Sequence, residues 1–201
     1  IDPLLAVSEW AVQHQVRRSL WISSSAVYSS TVPGAVPETL PTSPLGLYSV
    51  AKQMMESLAT TLRQEYARDV AVIRLSNIYG VAEQARETRP RVSLVGRMVK
   101  QAVDTGKVMV YVDDPARDWT FAPDIGAAVA ALLKPSSLQH ALYNVAAEQL
   151  LAPVEIAQVL QSLMPNIELD VRQGSDPNTP PLTRLGYLTN KRLQDETGFQ
   201  G

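Results

Sequence analysis

Tyr48 and Lys52 lie four residues apart in the segment YSVAK, and their types and spacing could do proton-transfer chemistry. In an α-helix this spacing separates the two side chains by only about 40° around the axis, so they share one face, one turn apart. A free phenol loses its proton at about pH 10 and is a poor base at neutral pH, but a nearby ammonium favours the phenolate. The pair could therefore accept a proton from a substrate hydroxyl. An ordinary solvated helix face, with Lys52 paired to Glu56, explains the same spacing.

Polar side chains also follow two apolar runs, at the points where each run would end as a strand. SLWIS leads into Ser24 and Ser25, and VIRLS is followed by Asn77. Ligands of open parallel sheets bind beyond the carboxyl ends of the strands, so these side chains are well placed to contact one. The simpler interpretations are that the serines satisfy loop backbone and that Asn77 forms an Asx turn.

The elements that must position these residues alternate between helix and strand. Apolar periodicity predicts helices over residues 3–16 and 44–67, the second with Ser43 as N-cap and Pro44 in the first turn. Strands are predicted for the apolar runs SLWIS, DVAVIRL, KVMVYV, ALYNV and IELDVR. Further helices are predicted for VSLVGRMVKQAVDTG, PDIGAAVAALLK, PVEIAQVLQSLM and TNKRLQDETGF. This alternation indicates an α/β fold with parallel strand pairing.

Composition narrows the classes of function. The chain has 201 residues, 45% apolar and 19% charged, with a net charge of −2, so no global charge favours nucleic acid or an anionic membrane. It has no cysteine, which excludes thiolate chemistry and fits a cytoplasmic location, and only two distant histidines, so we expect no metal centre. No apolar run approaches the ~18 residues of a membrane span. The first residues carry no basic leader, so we expect no signal peptide.

Three segments together resemble the extended short-chain dehydrogenase/reductase family, in its nucleotide-sugar epimerase and dehydratase branch. SSSAVY, YSVAK and RLSNIYG match its serine, Tyr-x-x-x-Lys and Arg-x-x-Asn-x-Tyr-Gly motifs, and RDWTFAPDIGAA is similar to a later motif. The resemblance implies a Rossmann-like doubly wound parallel sheet, of which this chain holds the C-terminal two-thirds, with a small α+β substrate-binding lobe. Residues 1–80 would form the C-terminal part of the dinucleotide-binding core, and residues 81–201 its remaining elements interleaved with that lobe.

The resemblance also implies roles for individual residues. Ser24, Tyr48 and Lys52 would be catalytic, with Tyr48 as the proton acceptor and Ser24 bonded to the reacting oxygen. NAD or NADP would bind at Ser23, Tyr48 and Lys52. A nucleotide sugar would bind at Ser25, Asn77 and Arg117.

The carboxylates beside these motifs have another implied role. Asp118 and Asp124 are expected to be structural, the latter at the positive end of the helix that it opens.

The chain departs from the family pattern at several points. It lacks the phosphate-binding G-x-x-G-x-x-G motif, Val81 replaces a proline, and DDPARDW lacks a Gly-Asp-Gly turn. Ser25 and Ala26 stand where dehydratases carry Asp-Glu, so the acid pair for water elimination is missing. The resemblance therefore favours an epimerase that works through a transient keto intermediate. A dehydrogenase or reductase of a free sugar acid or small carbonyl compound, or a non-catalytic binding member of the family, would fit the same fold.

Two expectations concern assembly. The resemblance implies a homodimer through helices 3–16 and 44–67, whose apolar residues are spread wider than one stripe. The strand SLWIS is expected to be interior, with neighbouring strands from residues outside this sequence, because a bare apolar edge would favour aggregation. Without them, the 201-residue chain is expected to bind NAD weakly or not at all.

Overall fold

A parallel sheet lies at the centre of the fold. The computed structural model describes residues 2–28, 32–81, 83–87, 92–177 and 186–200. The first half comprises α1 (Asp2–Gln13), β1 (Ser19–Ser24), a 3₁₀ turn (Ser25–Val27), β2 (Ala35–Val36), α2 (Leu47–Tyr66), β3 (Val70–Leu75) and β4 (Asn77–Tyr79). The second half comprises α3 (Leu94–Thr105), β5 (Lys107–Tyr111), β6 (Arg117–Phe121), α4 (Ala122–Leu133), β7 (Leu142–Val145), β8 (Leu150–Leu151), α5 (Pro153–Leu163), β9 (Glu168–Arg172), β10 (Tyr187–Leu188) and α6 (Lys191–Thr197).

The main sheet has the strand order β1-β3-β7, with all strands parallel. Every residue of β3 is buried, which explains why its sequence VAVIRL shows no apolar–polar alternation. One face packs against α2 through Ala59, Leu58 and Leu62. The opposite face packs against α4 and α6, chiefly through Leu132 and Leu193. Helices on both faces of a parallel sheet confirm the predicted α/β class.

A second, two-stranded parallel ladder joins β5 to β9. It packs with α3 and α5 around a cluster that includes Met98, Val108, Val110 and Ile156. The helix α3 ends where predicted, because Gly106 adopts a left-handed conformation with φ 67° as its C-cap. Although they follow residue 80, β7 pairs with β3 in the main sheet and α4 and α6 pack against it. The predicted division of the chain at residue 80 stays a prediction.

Short ladders that the sequence did not predict bring distant segments together. The parallel pair β4–β6 places Asn77 opposite Trp119, and β6 also pairs antiparallel with β8. The parallel pair β2–β10 joins Val36 to Leu188. The β4–β6 pair places Asn77 and Arg117 at the carboxyl edge of the main sheet, where both line the same cleft.

Two helix boundaries were predicted wrongly. The helix α2 begins at Leu47 with Gly46 as N-cap, not at Pro44 with Ser43 as N-cap, because Gly46 turns the chain with φ 88°. The helix α1 ends at Gln13 rather than residue 16, and Gln15 then takes a left-handed φ of 52°. Among the described residues, no helix is both long and apolar enough to cross a membrane.

Candidate active site

The first two turns of α2 hold Tyr48 and Lys52 on one face, as their spacing predicts. The Lys52 ammonium lies 5.7 Å from the centre of the Tyr48 ring and donates a hydrogen bond to the Ile22 carbonyl oxygen at 2.7 Å. Tyr48 is 61% exposed. Glu56, the alternative partner considered for Lys52, is buried and pairs with Arg74 instead. The Lys52 side chain is therefore hydrogen-bonded to a strand of the sheet rather than to another side chain of its own helix.

The consecutive serines at the end of β1 face different surroundings because side chains alternate along a strand. The Ser23 hydroxyl is buried and donates to Glu56 Oε1 at 2.5 Å. Ser24 Oγ accepts a hydrogen bond from the Ala26 N–H at 3.2 Å, which leaves its own O–H group able to donate. Ser24 thus satisfies loop backbone, as the simpler interpretation holds, and still presents a donor.

A cleft of about 380 Å³ opens at the carboxyl edge of the sheet. Four residues predicted from the sequence line it: Ser24, Ser25, Asn77 and Arg117. Tyr48 and Lys52 lie outside this lining, and the chain leading into α2 reaches the cleft at Leu45. The fold therefore gathers the predicted substrate-binding residues around one cavity, whereas the Tyr–Lys pair lies on the adjoining helix.

Asn77 and Arg117 approach the cleft from the paired strands β4 and β6. Asn77 Nδ2 donates to the Asp118 carbonyl oxygen at 3.0 Å, and the Arg117 guanidinium lies 5.8 Å from the Trp119 ring. Burial lowers the pKa of Arg117, Asp114 opposes this shift and Arg97 adds to it. Arginine remains cationic under such a shift. In the part of the chain that the structure describes, no carboxylate forms an ion pair with Arg117, so its charge can bind an anion.

Asp118 has the structural role expected for it. Its carboxylate is buried and accepts hydrogen bonds from the Ala147 N–H at 3.0 Å, the Leu188 N–H at 3.1 Å and the Ser76 hydroxyl at 3.3 Å. Burial raises the pKa of Asp118 to about 6, although all three hydrogen bonds oppose the rise. These hydrogen bonds hold β10 and the segment that follows β7 at the wall of the cleft. Asp124 lies exposed in the first turn of α4, in keeping with its expected place at that helix end.

A buried polar cluster beneath the cleft was missed by the sequence analysis. Glu56 accepts two hydrogen bonds from Arg74, whose guanidinium lies 4.5 Å from the centre of the Tyr28 ring. The Tyr28 hydroxyl donates in turn to Asn144 Oδ1 at 3.2 Å. The available signal was a single arginine inside the otherwise apolar strand VAVIRL, since a buried guanidinium requires an acidic partner.

Comparison with known proteins places these features in a family. Residues 4–146 match the model of the NAD dependent epimerase/dehydratase family. A UDP-glucuronate 4-epimerase of Thermodesulfobacterium geofontis is 28% identical over 149 residues, which cover 74% of this chain and 43% of that protein. A dTDP-glucose 4,6-dehydratase of Streptomyces niveus is 28% identical over 193 residues, which cover 95% of this chain and 54% of that protein.

The fold is also found in solved structures. The UDP-glucose 4-epimerase of Thermotoga maritima, solved with UDP-glucose, superposes with a TM-score of 0.82 at 17% identity, over 98% of this chain and 62% of that one. This likeness confirms the predicted Rossmann-like fold. The chain spans about half the length of the curated relatives it matches. Since the family model covers well over half of its residues, the chain belongs to the NAD-dependent epimerase/dehydratase family.

Proposed function

We propose that this protein is an NAD(P)-dependent epimerase of a nucleotide-diphosphate sugar. The observation that supports it best is the attachment of Lys52 to the Ile22 carbonyl, which sets the Tyr48 helix against the strand that ends in Ser24. The hydroxyl donor Ser24 lines the cleft, and the proton acceptor and its cation lie on the helix that follows Leu45, another lining residue. This is the set of groups that oxidation of a sugar hydroxyl requires.

The residues present fit one end of the cofactor. Lys52 uses one of its three N–H donors on Ile22, which leaves two for the hydroxyls of a ribose. The Ser23 hydroxyl is engaged by Glu56, so any contact from Ser23 would come from its backbone. None of the ten glycines forms a G-x-x-G-x-x-G motif, so the described site fits the nicotinamide–ribose end and not the pyrophosphate. When bound, NAD(P) would take a hydride from one sugar carbon and return it.

The protein's own residues would manage the proton. Tyr48 would remove it from the sugar hydroxyl, and the Lys52 ammonium would stabilise the resulting phenolate. Ser24 would donate its O–H to the reacting oxygen, since the Ala26 N–H occupies one lone pair of Oγ and leaves the hydroxyl hydrogen available. The transient keto sugar would turn within the cleft before reduction on its opposite face.

The other cleft residues suit a nucleotide diphosphate. Arg117 offers a planar cation without a carboxylate partner among the described residues, which suits phosphate oxygens. Asn77 donates through its NH₂ group to the Asp118 carbonyl oxygen, and among the described residues no donor reaches its side-chain oxygen, which could accept from a substrate. Ser25 supplies a further hydroxyl at the cleft wall.

Epimerisation is preferred over dehydration because of the residues at the cleft wall. Ser25 and Ala26 line it, and neither can act as the acid that water elimination needs. The carboxylate of Asp118 lies at the same cleft, but three hydrogen bonds from the protein already occupy it. The alternatives are a dehydrogenase or reductase of a free sugar acid or small carbonyl compound, and a non-catalytic binding member of the family.

Incubation of the full-length protein with NAD and UDP- or dTDP-sugars tests the proposal. We expect a C4 epimer by proton NMR, without net accumulation of NADH and without loss of water. Stoichiometric NADH with an oxidised product would indicate a dehydrogenase, and an unsaturated or deoxy-keto product would indicate a dehydratase. Binding of NAD and nucleotide sugar without any product would indicate a binding member.

A further inference from the structure

We infer that the buried pair Glu56–Arg74, together with Ser23, positions the Tyr48–Lys52 end of α2 against the strand that carries Ser24. These are positioning residues, since they act through the side chains proposed to touch substrate and cofactor. The inference rests on the proposed function for its kinetic consequences, but its geometry does not depend on it.

One carboxylate joins three elements. Glu56 lies one turn after Lys52 on α2 and is 8% exposed. It accepts from the Ser23 hydroxyl of β1 at 2.5 Å and from Arg74 of β3, through Nε at 3.0 Å and Nη2 at 2.6 Å. Ser23 and Arg74 are directly paired neighbours in the parallel sheet. The helix is therefore attached to both strands at a single point.

A second attachment lies one turn away on the same helix. Ile22 accepts from Lys52 through its carbonyl, and the next residue, Ser23, donates to Glu56. Consecutive residues of β1 thus hold consecutive turns of α2. Any slide or rotation of the helix along the strand would break both hydrogen bonds.

Apolar packing does not provide this positioning at the catalytic end. Leu47 is 91% exposed, and Tyr48 and Val50 are also exposed. The apolar contacts of α2 with the sheet come from Met55, Leu58, Ala59 and Leu62, in the later turns of the helix. Gly46, which precedes the helix, provides no side-chain cap. This end of the helix is therefore held to the sheet by the polar contacts of Lys52 and, one turn later, Glu56, while Gln53 Nε2 donates to Thr42 Oγ1 at 2.6 Å in the preceding loop.

The same ion pair also supports the cleft. The Arg74 guanidinium lies under the ring of Tyr28, which lines the cleft, and the Tyr28 hydroxyl is fixed by Asn144. A change at Glu56 would thus release the helix on one side and the support of the cleft wall on the other.

Replacing both members of the pair separates positioning from stability. Glu56→Gln alone leaves the Arg74 charge buried without its partner and should destabilise the fold strongly. The double variant Glu56→Met/Arg74→Met removes both charges at similar volume, which is often neutral for stability. A Met side chain cannot accept the hydrogen bond from Ser23 and so cannot orient the helix. The double variant should therefore recover stability but not the catalytic geometry. Asp69→Asn is the matched control, since Asp69 pairs with buried Arg18 at the opposite end of β1.

The experiment measures Tm, kcat and KM in the full-length protein, with hydrogen exchange of residues 47–56. In the double variant we expect a Tm near that of the wild type, faster exchange over these residues, and kcat lower by on the order of 10²-fold. Asp69→Asn should lower Tm and leave kcat within about twofold, as its charge pair is remote from the cleft. Recovery of kcat together with Tm in the double variant would overturn the inference and leave the pair a structural one.

Exchange distinguishes this failure from failure of the proposed function. If the wild type converts no nucleotide sugar, the proposed function fails, and exchange over residues 47–56 alone decides the inference. Faster exchange in the double variant at normal Tm would support the positioning role. Unchanged exchange would overturn it.

Discussion

The Lys52 ammonium donates to the Ile22 carbonyl oxygen at 2.7 Å, so a charged side chain of α2 is anchored on the backbone of β1. This contact lies two residues before Ser24, and Lys52 is one helical turn from Tyr48. One lysine thereby relates the proposed proton acceptor to the hydroxyl donor. The predictions below begin with that relationship.

Tyr48→Phe should abolish turnover and leave NAD affinity nearly unchanged, because it removes only the phenolic oxygen. The expected loss in kcat is ~10²–10⁴-fold, the usual contribution of a general base. Tyr66→Phe, at the exposed far end of the same helix, is the matched control and should behave as the wild type. A Tyr48→Phe enzyme that retains more than about a tenth of the rate would exclude Tyr48 as general base.

Arg117→Ala should weaken binding of a nucleoside diphosphate, measured by calorimetry. Loss of a charge-assisted contact costs ~1.5–3 kcal/mol, which corresponds to roughly ten- to a hundredfold in Kd. Arg172→Ala, which removes an exposed guanidinium paired with Asp170, serves as control and should not change Kd. Equal affinity of the Arg117→Ala and wild-type proteins would assign Arg117 a structural role.

Asp118 should make stability depend on pH in a defined direction. Its pKa is about 6 in the folded protein, against an ordinary value of 3.8. An acid whose pKa is raised by folding favours the folded state most when protonated. Its contribution is therefore fully present below about pH 4 and is lost as pH rises through about 6, by about 3 kcal/mol.

Chemical denaturation of the wild type and Asp118→Asn from pH 4 to 7 tests this. The variant loses the hydrogen bond from the Leu188 N–H at every pH, so that cost is a constant offset. The stability of the wild type relative to the variant should fall by about 2 kcal/mol between pH 4 and 7, because part of the full change lies below pH 4. Parallel curves would show that Asp118 does not titrate there.

Gly186→Ala should destabilise the segment beneath the cleft. A Cβ atom at Gly186 would lie only 1.7 Å from the Gly34 carbonyl oxygen, so backbone must move and the β2–β10 ladder should be strained. We expect a loss of about 1–3 kcal/mol, the usual cost of overpacking. Gly126→Ala in α4, where a Cβ meets nothing within 4 Å, should instead be neutral or stabilising by up to about 1 kcal/mol. Equal stability of the two variants in urea would contradict this.

The homodimer implied by the sequence stays a prediction, and exposed apolar side chains support it. Trp10 of α1 is 55% exposed and Met54 of α2 is 47% exposed, on the two helices proposed to pair. Trp10→Glu should shift the mass measured by light scattering at micromolar concentration from dimer to monomer. Val103→Glu, on exposed α3, should not. A monomeric wild type would remove the basis of this expectation.

The sequence predicted the long elements and four residues that line the cleft, but not the contacts that support it. Buried runs such as VAVIRL and the periodic stretch of α2 are visible because their patterns extend over several residues. The ladder β2–β10 is only two residues long and has no such pattern. The sequence suggests Glu56 as a partner of Lys52, because residues four apart lie on neighbouring turns of a helix. Its actual partner, Arg74, is brought to it by the packing of α2 on β3, which the sequence alone does not reveal.

The uncapped start of α2 has an electrostatic consequence. No side chain caps the helix at Gly46, and Tyr48 lies in its first turn, where unpaired N–H groups give the helix end a partial positive charge. This charge comes from the backbone dipoles of α2 and adds to that of the Lys52 ammonium beside the Tyr48 ring. Their contribution needs no side chain and would persist in a Lys52→Met variant.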